Sequence, residues 1–223
     1  MEYCYQYPHP AVTTDIVVFT IRQNRVEVLL VKRRNPPFAD CWALPGGFVD
    51  IDEDLDACAL RELHEETNVS NVYLEQLYTF GQHNRDPRER VITVSYYALI
   101  PADKLENTQA GSDASEVSWF SLDHLPPVAF DHEVIIDTGR KRVAGKTRYS
   151  TIAFQFLPQQ FTLGELQNVY EILLNEKLDK RNFRKWIQSL NCITDTGEIR
   201  RNGQHRPAKL YCAKHPDRVD IIK

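Results

Sequence analysis

Gly47–Val69 reads GFVDIDEDLDACALRELHEETNV. Gly47 is followed after five residues by Glu53, and after seven more by Arg61-Glu62-Leu63-His64-Glu65-Glu66. Leu55, Ala59 and Leu63 recur every four residues, so a helix with one apolar stripe is expected over residues 54–67. On it Glu62, Glu65 and Glu66 stand at i, i+3 and i+4, and their carboxylates leave from one face. Three unneutralised carboxylates there repel each other. A hard divalent cation relieves that cost, and Mg²⁺ is bound through one or two carboxylates, waters and substrate phosphate oxygens. The metal then polarises a phosphoryl group and lowers the pKa of an attacking water. Candidate metal ligands are therefore Glu62, Glu65, Glu66 and the Gly47 carbonyl. Glu53 can pair with Arg61 and fix the loop against the helix, which makes Glu53, Arg61, Glu62, Glu65 and Glu66 the candidate catalytic set. The general base stays open between Glu116 and Asp113. A solvated acidic helix face is the competing reading.

Around this segment the pattern is mixed. Residues 11–21 (AVTTDIVVFTI) and 25–33 (RVEVLLVKR) are rich in β-branched residues and read as a strand pair around Gln23-Asn24. Residues 72–83 and 91–100 read as two strands around the polar loop Asn84–Arg90, and 117–121 as a fifth. A weaker helical pattern covers 131–143. With the acidic helix inserted between strands, an α/β or α+β layered domain is expected.

After Leu157-Pro158 the character changes. Thr162-Leu163-Gly164-Glu165 is a capping box, followed by an apolar stripe from Leu163 to Leu174. Asp179 is a second N-cap candidate, with Phe183, Trp186, Ile187 and Leu190 at i, i+3, i+4 and i+7. The opposite face carries Lys180, Arg181, Arg184, Lys185 and Gln188. Short extended runs at Cys192–Thr196 and Ala208–Ala213 flank a loop with Arg200, Arg201, His205 and Arg206. Helix, tight turn, basic helix and basic-tipped hairpin are the order of a winged helix-turn-helix. In that reading Lys180, Arg181, Asn182, Arg184 and Lys185 enter the major groove, where Arg suits guanine and Asn suits adenine. Arg200, Arg201, His205 and Arg206 meet phosphates or the minor groove. A solvated basic face is the alternative.

The charge distribution agrees with two parts. The 223 residues carry a net −4. Residues 1–157 hold 15 Lys+Arg against 23 Asp+Glu, a net of −8, and residues 158–223 hold 12 against 8, a net of +4. Such asymmetry suits an acidic working domain joined to a nucleic-acid-facing one. The expected domains are 1–157 and 158–223. There is no apolar run of about 18 residues and no basic-then-apolar start, so neither a membrane span nor a secretory signal is expected. Five scattered cysteines without a Cys-x-x-Cys pair fit free thiols in the cytoplasm and offer no zinc site.

Gly47–Val69 resembles the Nudix box, G-x5-E-x7-R-E-U-x-E-E-x-G-U, with Asn68 in place of the second glycine. Asn tolerates the left-handed conformation that such a helix end needs. The resemblance implies an α/β/α sandwich and Mg²⁺-dependent cleavage of nucleoside diphosphates linked to another group. Trp42–Phe48, the Arg85-Asp86-Pro87-Arg88 loop and Trp119-Phe120 are similar to ADP-ribose-type members, with Arg85, Arg88 and Arg90 set to face a diphosphate or ribose. Ordinary loop solvation is the alternative there, and a structural histidine is the favoured reading of His83. Residues 161–190 with the hairpin, and Phe130-Asp131-His132, resemble the Nudix-related transcriptional regulators.

The resemblance covers residues 10–213 and implies an α+β chain: a Nudix-type sandwich followed by a small winged helix-turn-helix. The first functional reading is a homodimeric regulator on a double-stranded DNA operator. It senses a small-molecule effector, an ADP-ribose-like nucleotide or a pentose, in its Nudix domain. The second is a Mg²⁺-dependent Nudix hydrolase of substrates such as ADP-ribose. Regulators of this kind often lose the catalytic carboxylates, and this chain keeps them.

Overall fold

A computed structural model describes residues 6–107, 114–201 and 207–222. The first strands are β1 (Ala11–Arg22), β2 (Arg25–Arg33), β3 (Trp42–Ala43) and β4 (Gly46–Phe48), followed by helix α1 (Leu55–Thr67). Strands β5 (Tyr73–Phe80), β6 (Val91–Leu99) and β7 (Ala114–Ser121) then lead to helix α2 (His132–Thr147). The seven strands form one sheet in the order β3-β2-β1-β6-β5, with β4 pairing to β1 and β7 to β2. The expected strand pair forms as β1 and β2. Gln23 (φ 51°) and Asn24 (φ 60°) both take positive φ, as a two-residue hairpin of type I′ demands.

β1 is the central strand, buried without a break from Thr13 to Thr20. A strand covered on both faces shows a near-continuous apolar run rather than alternation. This is why AVTTDIVVFTI lacks a period-two pattern. β4 pairs antiparallel with the start of β1, setting Gly47 opposite Thr14 and Gly46 opposite Asp15. Neither β3 nor β4 is foreseen from the sequence. Strands of two and three residues have too little periodicity to read and take their pairing from β2 and β1. α2 runs four residues beyond the expected end, to Thr147, because buried Val143 and Thr147 continue its inner face one more turn.

The chain divides into two compact units: 1–18, 28–98 and 107–139 in one, and 19–27, 99–106 and 140–223 in the other. The break at Leu157-Pro158 lies inside the second unit, between the 3₁₀ turn Thr151–Phe156 and strand β8 (Phe161–Thr162). β8 leads into α3 (Leu163–Leu174), α4 (Lys180–Ser189) and the hairpin β9 (Ile193–Arg200) and β10 (Ala208–Ala213). The three strands form an antiparallel sheet in the order β8-β10-β9. The capping box is complete: Glu165 N–H donates to Thr162 Oγ1 at 3.1 Å, and Thr162 N–H donates to Glu165 Oε2 at 2.7 Å. Asn175 (φ 52°) closes α3 in the left-handed conformation, and Asp179 caps α4 by accepting from Asn182 N–H at 2.8 Å.

The expected apolar faces meet. Leu163, Leu166, Val169, Tyr170 and Leu173 of α3 are buried, as are Phe183 and Ile187 of α4. Tyr170 packs edge-on against Phe183 and Trp186, each at 5.4 Å between ring centroids. Buried Tyr170 and Phe183 contribute about 1.5–3 kcal/mol each to holding the helices together. The sequence reads β9 as ending at Thr196. The strand runs on to Arg200, which pairs with Ala208. Among the described residues no helix is long and apolar enough to cross a membrane.

Thr162→Ala removes one half of a reciprocal cap, and a loss of about 1 kcal/mol is expected in chemical denaturation of the full chain. Gly164→Ala, which meets only Thr162 Oγ1 at 3.7 Å, should be far milder.

Candidate functional site

Arg61 is the centre of the acidic segment. Its Nε and Nη2 donate to the two oxygens of Glu53 at 2.7 Å each. Its Nη1 donates to Glu62 Oε1 at 2.7 Å and to Glu65 Oε2 at 3.2 Å. Glu66 Oε2 accepts from Gly46 N–H at 2.9 Å. The expected Glu53–Arg61 pair is present, but the expectation of three unneutralised carboxylates is corrected: one guanidinium already serves Glu53, Glu62 and Glu65. Hydrogen bonding from Arg61 holds the Glu53 carboxyl at about 2. Burial pushes Glu62 the other way, above the usual carboxylate range, with Arg61 only partly opposing it.

The two glycines are required by close approach. A Cβ on Gly47 would lie 2.3 Å from Glu62 Oε1, and one on Gly46 would lie 2.0 Å from the Thr14 carbonyl oxygen. Asn68 closes α1 with φ 58° and its N–H donating to His64 O, as its left-handed tolerance implied. Behind the helix Cys58 lies 3.3 Å from Thr14 Oγ1, and burial pushes its thiol up to about 11, so it stays protonated. Of the two candidate bases, Glu116 is exposed with Lys32 at 3.6 Å, and Asp113 lies outside the described residues. Among the described residues no three His, Cys, Asp or Glu side chains gather closely enough to hold a metal ion.

Beside the glycines opens a pocket of about 140 Å³, lined in part by Thr13, Arg33, Phe48, Arg88 and Phe130. Its floor is a buried ion network. The Arg85 side chain is 4% exposed and donates to Asp131 Oδ1 at 2.7 Å, to Asp131 Oδ2 at 3.1 Å and to Asp15 Oδ2 at 3.1 Å. His132 Nδ1 accepts from Leu44 N–H at 2.8 Å, so the proton of the neutral ring sits on Nε2, 3.5 Å from Asp15 Oδ1. Burial keeps His132 below its ordinary pKa, consistent with the neutral form. Arg85, expected to face a ligand, thus gives its guanidinium to two carboxylates.

Arg88 and Arg33 form the open side. Arg88 pairs with Asp86 at 2.7 Å, and its guanidinium lies 5.3 Å from the Phe48 ring centroid and 5.9 Å from that of Phe130. Arg33 covers the Phe130 ring at 4.9 Å. Burial and then the nearby Arg88 lower the Arg33 pKa, and Arg33 Nε donates to Pro37 O at 3.0 Å. Thr13 Oγ1 is buried without a hydrogen-bond partner. Arg90 is exposed, donates to Gln82 O at 3.1 Å and does not line this pocket. His83 is exposed beside Asn84.

In the second unit Lys180, Arg181, Asn182, Arg184 and Lys185 are all exposed on α4, opposite buried Phe183 and Ile187. Arg200 is held within the unit, donating to Glu165 Oε1 at 2.7 Å and to Gln160 O at 3.0 Å. Arg201 is exposed, while His205 and Arg206 lie outside the described residues.

Residues 10–138 match the NUDIX domain model, and residues 153–213 match the NrtR DNA-binding winged helix domain. The ADPR responsive transcriptional repressor NtrR of Acinetobacter baylyi is 39% identical over 209 residues, which is 92% of this chain and 82% of that protein. Shewanella oneidensis NrtR, in a crystal structure with a 27mer DNA, is 40% identical with a TM-score of 0.83, over 92% of this chain and 94% of that one. The NUDIX domain of the same protein, in a cocrystal structure with ADP ribose, is 39% identical with a TM-score of 0.57, over 61% of this chain and 90% of that one. This chain belongs to the NrtR family of Nudix-related regulators. Its fold is a mixed sheet with helices, of Nudix type, followed by a winged helix domain.

Within this NrtR-type chain, sequence reasoning missed Asp15, Arg33, Phe48 and Phe130 as pocket residues. One signal was present for Asp15: a lone carboxylate in a buried apolar strand needs a buried cation or donor. Arg33 and the phenylalanines gave none, because they meet only across β2, β4 and the segment before α2.

Arg85→Ala leaves Asp15 and Asp131 without their shared cation and is expected to cost about 3–5 kcal/mol in denaturant unfolding. The folded His132 titrates below its unfolded value. As the pH falls below about 6.5 the unfolded chain therefore gains a proton that the folded chain refuses, and stability drops. Denaturation midpoints between about pH 7 and 5 should show that slope in the wild type, reduced in His132→Asn. Glu62 has the opposite sign, since its charged form is disfavoured on folding. Glu62→Gln should leave the metal-free protein as stable or more stable, by up to about 1 kcal/mol.

Proposed function

We infer that this protein is a transcriptional repressor that binds operator DNA through its winged helix domain and is governed by an ADP-ribose-like nucleotide in its Nudix domain. The observation that carries the reading is the presence on one chain of an exposed basic α4 in an NrtR-type winged helix and an Arg33–Arg88 pocket in a Nudix domain. The relatives support it: one is an ADPR responsive repressor, and another was crystallised with DNA and, as its NUDIX domain, with ADP ribose.

The roles follow from chemistry. Lys180, Arg181, Asn182, Arg184 and Lys185 present donors to the major groove from the first turns of α4. Arg201 and Arg206 serve the wing. Arg200, tied to Glu165, positions the wing base. The diphosphate sits between Arg33 and Arg88, where its charge offsets two adjacent cations. Phe48 and Phe130 supply flat apolar faces for a sugar or base, and Thr13 Oγ1 gains the partner it lacks. A pentose alone would not use the Arg33–Arg88 pair. The protein acts in the cytoplasm as a homodimer on half-sites about 34–36 Å apart or a multiple of that.

Mg²⁺ fits the donor chemistry of Glu62, Glu65, Glu66 and the Gly47 carbonyl, an all-oxygen set of the kind a hard cation takes. The ion would offset the charge of half-buried Glu62 and polarise a phosphoryl group. Its binding requires Arg61 to share Glu62 and Glu65. Retained hydrolysis of an ADP-ribose-like substrate is the second reading, favoured by the intact Glu53–Arg61 pair.

An effector acts only by unequal affinity for two states, and a coupling of about 1–3 kcal/mol corresponds to about 5–150-fold. Saturating ADP-ribose is expected to weaken binding to a duplex selected from a random-sequence pool by a factor in that range, read by fluorescence anisotropy. Unchanged affinity would sink the sensing role. Arg33→Ala and Arg88→Ala should remove the ADP-ribose effect and leave DNA affinity intact. Arg181→Ala with Arg184→Ala should do the reverse.

A further inference from the structure

The DNA-facing charge is not confined to α4 and the wing. The second unit holds 20 Lys+Arg against 11 Asp+Glu, a net of +9, while the first unit is left with −13. The excess over the simple split at residue 157 comes mainly from the last turns of α2 and the residue that follows it. Residues 138–164 contain Arg140, Lys141, Arg142, Lys146 and Arg148 and no Asp or Glu at all.

Three of these five cations share one sector of the helix, while Arg142 and Lys146 lie further round, at about 200° and 240° from Arg140. At 3.6 residues per turn, Arg140, Lys141 and Arg148, which directly follows the last residue of α2, fall within about 100° of one another. Buried Val143 and Thr147 fall outside that sector, adjoining it on the Arg140 side. Arg140, Lys141 and Arg148 are exposed. The stripe also has a fixed place in the domain. Arg148 Nη2 donates to Glu176 Oε1 at 2.6 Å, so it ends on the turn between α3 and α4. Arg148 and Thr147 share the wall of one cleft with Lys177, Asn182 and Trp186. The cationic line therefore starts beside the N-terminal end of α4, the part that enters the groove in this class of domain. It runs back along α2 for eight residues, or about 12 Å at 1.5 Å per residue.

We propose that Arg140 and Lys141 at the end of α2, a line that Arg148 anchors to the α3–α4 turn through Glu176, are a second DNA-contacting surface, which grips the phosphate backbone flanking the segment read by α4. The partner is double-stranded DNA outside the recognised bases. Long flexible cations on a helix flank, with no aligned Asn or Gln, suit phosphates rather than base edges. Such contacts fix register on the duplex and strengthen every sequence alike. The proposal rests on the DNA-binding reading of the winged helix.

The test is the salt dependence of binding by the full-length protein to a mixed-sequence duplex of about three helical turns. The probe needs no operator, because backbone contacts act on any sequence. Arg140→Gln with Lys141→Gln is expected to lower the slope of log affinity against log salt by about 0.9 for each phosphate no longer neutralised. It should weaken a selected duplex and a mixed-sequence duplex by the same factor. Arg181→Ala, by contrast, should weaken the selected duplex more. Both substituted positions are exposed, and an unchanged thermal melt checks that the fold persists; Arg140→Lys should restore its share of the slope. A wild-type slope and affinity in the double variant, with wild-type protein bound to DNA, overturns the stripe alone. A wild-type protein that binds no duplex overturns the DNA-binding reading and the stripe with it.

Discussion

A carboxylate at the centre of the sheet constrains everything around it. Asp15 lies in the middle of β1, buried, with Arg85 and His132 against it and Asp131 on the far side of Arg85. Burying one such charge alone would cost several kcal/mol. The network answers that cost by drawing together four segments distant in sequence: the central strand, the loop before β6, the start of α2 and, through the Leu44 N–H, the loop before the glycines. The same bonds that satisfy Asp15 set the pocket floor. Arg33 and Arg88 are left as cations of its wall, and Arg85 is withdrawn into the floor.

The acidic helix follows a related logic. Glu62, Glu65 and Glu66 are spaced to share a face, and repulsion among them is held in check by Arg61 and by the Gly46 N–H. Glu62 is the strained member, because burial against Gly47 disfavours its charge. A group kept ionised where burial opposes it is a cost to stability, and such costs gather at functional sites. The Nudix box is thus held in place by ion pairs and hydrogen bonds of its own. This suits a chain that senses a nucleotide as well as one that cleaves it.

The winged helix is governed by amphipathicity instead. Its helices are capped by Thr162 and Asp179 and pressed together by Tyr170, Phe183 and Trp186. Because the apolar stripe of α4 is narrow, nearly all its other positions are polar, and five of them are Lys, Arg or Asn. The −4 net charge of the chain hides this. Separated by compact unit, the charge is −13 and +9, a steeper contrast than the sequence split at residue 157 suggests. The reason is the cationic end of α2, which belongs with the winged helix by packing although it precedes the change in sequence character.

The features legible in the amino-acid order are local ones. The Gly47–Val69 spacing, the hairpin at Gln23-Asn24, the two helix caps and the basic face of α4 all depend on residues close together in the chain, and each stands in the structure as read. The family likeness rests on those same local patterns. Packing settled what depends on distant partners. It withdrew Arg85 and Arg200 into ion pairs, brought Arg33, Phe48 and Phe130 to one pocket, and lengthened β9 along β10. The physical reason is that a side chain's charge is written in the sequence, but its neutralisation is not. Whether an arginine meets a ligand or a buried aspartate is settled only when the chain has packed and desolvation has made the unpaired alternative too costly.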